Sequence, residues 1–70
     1  MTRRKLFDEI LQAPARIYRS PTDVLRDRRF NDAERVDILR AWRDEVPDAP
    51  VLAELVATIA QLQGRLGGAR

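Results

Sequence analysis

VLAELVATIAQLQ, residues 51–63, carries one charged side chain, Glu54, in thirteen positions, although 34% of the whole 70-residue chain is charged. At 100° per residue, Val51, Leu52, Leu55, Val56, Ile59, Leu62 and Leu66 fill one broad aliphatic arc. Ala53, Ala57 and Ala60 extend it, which leaves Glu54, Thr58, Gln61 and Arg65 as a narrow polar strip. A helix this apolar is expected to be buried on more than one side. Leu52, Leu55, Ile59, Leu62 and Leu66 also alternate by three and four, the rhythm of a coiled-coil seam, over about two heptads.

Working backwards, Pro47 interrupts the chain and Asp48 is placed to cap this last helix, predicted over residues 49–63. Gly64 is placed as its C-terminal cap, and Gly67 and Gly68 predict fraying, so the expected domain is 1–66 with a frayed tail at 67–70. NDAERVDILRAWRDEV, residues 31–46, reads as a helix capped by Asn31, with Glu34 at the capping-box spacing. Val36, Leu39, Trp42 and Val46 form its apolar stripe, with Ile38 on the flank and Arg40–Asp44 as an outward ion pair. In SPTDVLRDRRF, Ser20 as cap and Pro21 at the first helical position predict a short helix over residues 21–27, with Val24 and Leu25 inward. Residues 13–19 read as a connector whose Ile17 and Tyr18 pack inward. A first helix over residues 3–12, capped by Thr2 and stopped before Pro14, turns Leu6, Phe7, Ile10 and Leu11 to one face. The expected fold is all-α: a small bundle of three main helices plus one short helix.

A single core in about 70 residues supplies only a few kcal/mol of net stability. With no cysteine and no histidine, disulfides and the usual zinc ligands are excluded. Oligomerisation is the remaining aid, and three short helices are expected to cover only one face of the last one. The sequence therefore predicts a homodimer, or docking of a helical protein partner, through Leu52, Leu55, Val56, Ile59 and Leu62.

Histidine, the commonest general base, is absent, and nothing stands ready to activate Ser20 or the threonines as nucleophiles. The glycines lie only at 64, 67 and 68, so no phosphate-cradling loop is present. Asp44, Glu45 and Asp48 have no spacing typical of a hard-metal site. No enzyme, cofactor or metal is expected. The N-terminus lacks the features of a signal peptide and no run spans a bilayer, so a cytoplasmic protein without a transmembrane segment is expected.

Two segments of opposite sign adjoin. Arg16, Arg19, Arg26, Arg28 and Arg29 outnumber Asp23 and Asp27, whereas residues 32–48 carry six acids against Arg35, Arg40 and Arg43. The basic segment is the alternative functional candidate, an anion or nucleic-acid surface to which Tyr18 adds a stacking face. Acids at the start of the following helix, Asp32, Glu34 and Asp37, oppose phosphate binding there. The two segments are otherwise expected to meet, within the fold or between subunits. Trp42 is expected in the core, or in a partner's interface if exposed.

Pro21, Val24, Leu25, Glu34, Ile38, Leu39, Trp42 and Asp44, followed by a final apolar helix, resemble the pattern of a group of small uncharacterised bacterial all-helical proteins. The likeness covers about a third of the chain, and its residues are mostly caps and core. It implies a fold and no activity. The chain departs from the pattern at Arg35, where lysine is usual, and in the short, proline-rich linker DEVPDAP.

Overall fold

The computed structural model describes residues 3–68, with side chains described for 5–66. Five helices follow in order: α1 (Arg3–Gln12), α2 (Pro14–Ile17), α3 (Pro21–Leu25), α4 (Asp32–Asp44) and α5 (Ala49–Gly68). Among the described residues there is no strand. The fold is all-α, with α1, α4 and α5 as its long helices.

The elements differ from the expectations where local signals compete. Residues 14–17 form a helical turn, not a plain connector, because Pro14 begins a helix as readily as it ends one. It closes with the Tyr18 amide donating to the Pro14 carbonyl at 3.0 Å. Ile17 points outward, 52% exposed, and only Tyr18 turns in. α3 ends at Leu25, two residues early. Its start is held by the Asp23 carboxylate, which accepts from the Arg19 and Ser20 amides at 3.2 and 3.3 Å. At α4 the capping box forms in both directions: the Asn31 side chain accepts from the Glu34 amide at 2.8 Å and Glu34 from the Asn31 amide at 2.9 Å.

α4 ends at Asp44, which removes Val46 from its apolar stripe. Val46 has φ 54°, a left-handed conformation costly for a β-branched residue, and is 84% exposed. Val46 is the residue just past the C-cap Glu45, the position where helices commonly turn left-handed and where glycine, missing here, is favoured. The Arg40–Asp44 pair does not form; both side chains lie in solvent, where such a pair gains only a few tenths of a kcal/mol. α5 continues through Gly64 to Gly68, so Gly64 is no terminator. The predicted fraying at 67–68 is replaced by helix; residues 69–70, and the Thr2 cap, lie outside the described residues.

The core joins Ile10, Tyr18, Val24, Phe30, Val36, Ile38, Leu39, Trp42, Leu55, Ile59 and Leu62. Phe7 packs on Phe30 with ring centres 5.5 Å apart. α4 and α5 run antiparallel: Arg65, near the end of α5, reaches Asp32, the first residue of α4, at 3.4 Å. α3 packs against both α4 and α5, and its Thr22 donates to the Glu54 carboxylate at 3.0 Å. The chain is only 17 Å deep along its shortest axis, about two helix layers at 8–10 Å each, so a helix in it has one side open to water.

Candidate functional site

The face of α5 that lies inward is rotated from the expected one. Leu55 and Leu62 are fully buried, Ile59 is 5% exposed and Thr58 6% exposed. Thr58 was expected in the polar strip; it turns in because its hydroxyl is satisfied by the Glu54 carbonyl at 2.7 Å, one helical turn back. Three of the five residues expected to mediate self-association, Leu55, Ile59 and Leu62, are thus sealed within the single chain. The expectation that the neighbouring helices could not cover them is corrected: Val36, Leu39 and Trp42 supply one continuous stripe along α4. Trp42 is core, 4% exposed.

What α5 presents to solvent begins at the edge of the predicted arc. Leu52 is half-buried and Val56 is 52% exposed. Ala49, Ala53, Ala57, Ala60, Gln63 and Gly64 are exposed on the same side, a sector of eight positions with no charge. A Cβ added at Gly64 would meet nothing within 4 Å.

The basic segment is organised around Asp27. Its carboxylate accepts from Arg29 Nε at 2.9 Å, Arg29 Nη2 at 2.7 Å and the Arg29 amide at 3.0 Å. It also accepts from the Tyr18 hydroxyl at 2.7 Å. The Arg29 hydrogen bond holds the Asp27 carboxyl well below the usual carboxylate range, against the opposing effect of burial. Burial, then the Asp27 carboxylate, pushes the Tyr18 hydroxyl above its ordinary value. Tyr18 is 7% exposed and so offers no stacking face, contrary to expectation.

Arg35 continues the cluster by donating to the Asp27 carbonyl at 2.9 Å and to Asp32 at 2.7 Å. Its Nε is buried without a partner. A guanidinium reaches both oxygens at once and an ammonium would not, which is a physical use for arginine at this position. The sequence held one clue to this cluster, the spacing Asp27-x-Arg29, which lets a side chain fold back onto its neighbour.

Arg16, Arg19, Arg26 and Arg28 are exposed and, among the described residues, hold no ion pair. The same is true of Asp37, Asp44, Glu45 and Asp48. These two charged groups therefore do not meet within the fold. Among the described residues no pocket opens, and no group of three or more acidic side chains is placed to hold a metal ion. No helix of the described residues is long and apolar enough to cross a membrane. No family model, curated protein or solved structure matches the chain.

Proposed function

We propose that the protein is a small non-enzymatic interaction module that self-associates through the outer face of α5. The observation that carries this reading is the uncharged sector around Val56, with Leu52 half-buried beside it and Ala53, Ala57 and Ala60 small enough to let a second helix approach closely. Apolar area removed from water contributes about 25 cal/mol per Å², and this side is where α5 still has area to bury. Sedimentation equilibrium tests it: the native chain should exceed its 8.1 kDa monomer mass at micromolar concentration. The Val56→Glu variant should be monomeric with unchanged helix content, and a native chain that stays monomeric throughout overturns the proposal.

A second reading, nucleic-acid binding, is favoured by one observation: Arg16, Arg19, Arg26 and Arg28 stand exposed without ion pairs among the described residues. It requires salt-sensitive binding of DNA or RNA that weakens in the Arg26→Ala/Arg28→Ala variant. A mobility shift at low salt decides it, and no shift ends it.

A further inference from the structure

We propose that the surface formed by α2, α3 and the turn after α3 binds the face of an anionic lipid bilayer, with Arg16, Arg19, Arg26 and Arg28 on the headgroups and Ile17 at the edge of the acyl chains. This contact needs one copy of the chain and does not depend on self-association through α5.

Two hydrogen-bonded bridges bring residues 16–19 beside residues 26–28. The Arg19 amide donates to the Asp23 carboxylate at 3.2 Å, and the Asp23 carbonyl accepts from the Arg26 amide at 3.1 Å. The Tyr18 hydroxyl donates to Asp27, which stands between Arg26 and Arg28, at 2.7 Å. From these backbones the arginines leave outward, and all four are exposed. At 100° per residue, Arg16 lies about 160° round α2 from buried Pro14, and Arg26 about 160° round from buried Val24. α2 and α3 both pack on α4, whose buried side carries Val36, Leu39 and Trp42. Asp37 and Asp44 lie about 160° and about 140° round α4 from Leu39, so they face away from the arginine surface.

Both acids among the arginines are already engaged. Asp23 holds the Arg19 and Ser20 amides, and Asp27 holds Arg29 and Tyr18. Five arginines (16, 19, 26, 28 and 29) against these two acids leave a surplus of three positive charges. Among the described residues Arg16, Arg19, Arg26 and Arg28 hold no ion pair, and a guanidinium grips phosphate or carboxylate through two parallel hydrogen bonds.

Ile17 selects lipid over nucleic acid. It is 52% exposed and stands between Arg16 and Arg19 in the chain. Bases would need an aromatic face to stack on, and Tyr18, Phe30 and Trp42 are all buried. Duplex phosphates would leave Ile17 in water. A bilayer takes the cations at its headgroups and the apolar side chain just below them. The contact is peripheral, since no described helix is long and apolar enough to cross a membrane.

Co-sedimentation with phosphatidylcholine vesicles holding about 30% phosphatidylserine, in about 0.1 M salt, tests the proposal. Native chain should bind these vesicles and not vesicles of phosphatidylcholine alone. Each cation at an anionic surface contributes about fivefold to partitioning, so the Arg26→Ala/Arg28→Ala variant should bind about 25-fold more weakly. Ile17→Ser should bind about fivefold more weakly, because half of that side chain remains to be buried. Its retention on heparin, a polyanion with no apolar layer, should equal that of native chain. These positions are exposed, so circular dichroism should show native helix content in every variant. Native chain that ignores the anionic vesicles, or binds both kinds equally, overturns the proposal. Retardation of duplex DNA, with vesicle binding unmoved by Ile17→Ser, overturns it in favour of nucleic acid. A second arm reads the seating directly, because the chain has no cysteine and takes a fluorophore at one chosen position. On Ile17→Cys the label should be quenched by nitroxides on the lipid acyl chains, and on Val46→Cys, in the acidic turn, it should not. Equal quenching at both positions, or at neither, overturns the placement of Ile17.

Discussion

The Tyr18 hydroxyl donates a 2.7 Å hydrogen bond to Asp27, nine residues along the chain, and so ties the end of α2 to the turn after α3. Asp27 is in turn gripped by Arg29, and its carbonyl by Arg35 of α4. A single residue thus ties the end of α2, the turn after α3 and the start of α4 together.

Tyr18→Phe removes that bond while keeping the ring in place. A hydrogen bond to a charged group contributes about 1.5–3 kcal/mol, and Asp27 keeps Arg29, so a loss near 1.5 kcal/mol is expected. Urea unfolding followed by the fluorescence of Trp42, the single tryptophan, measures it.

The same pair gives stability two pH limits. Asp27 titrates below its unfolded value, so its contribution is present above the unfolded carboxylate pKa of about 4 and is lost as pH falls from there through the folded value. Asp27→Asn should flatten the acid limb of a stability-versus-pH curve. Tyr18 titrates above its unfolded value, so its contribution is present below pH of about 10 and is lost as pH rises towards the folded value. Ultraviolet titration of the single tyrosine should show phenolate forming at higher pH in native than in urea-unfolded chain.

Neighbouring residues of α5 should respond in opposite ways. Leu55→Ala opens a cavity in the core and should cost about 2–5 kcal/mol. Val56→Glu lies on the outer face and should change monomer stability by no more than about 0.5 kcal/mol. Equal losses in thermal unfolding of the two variants, measured at concentrations where the native chain is monomeric, would refute the described rotation of α5.

Val46→Gly should stabilise the chain by about 1 kcal/mol, because glycine adopts the left-handed conformation without the steric cost that valine meets. Little burial offsets the gain, since Val46 is 84% exposed. Asn31→Ala should cost about 1 kcal/mol by removing one half of the α4 capping box. Both are read from denaturant midpoints.

By itself the sequence determined the local elements. Asn31 and Glu34 announced the start of α4 because a capping box lies within four residues, and Leu6, Phe7, Ile10 and Leu11 marked the inner side of α1 because helical spacing is a property of neighbours in the chain. Where local signals competed, Gly64 misplaced the end of α5, and Pro14 marked the end of α1 but hid the start of α2. The tertiary structure alone decided which part of the apolar arc of α5 became core. With aliphatic or small residues around most of its circumference, α5 has little preference of its own about rotation, and α3 and α4 set it by burying Leu55, Thr58, Ile59 and Leu62 and leaving Val56 outside. The Tyr18–Asp27–Arg29 cluster was hidden for the same reason: it spans a turn whose path depends on packing, and charge counting along the chain cannot show which carboxylate is already held.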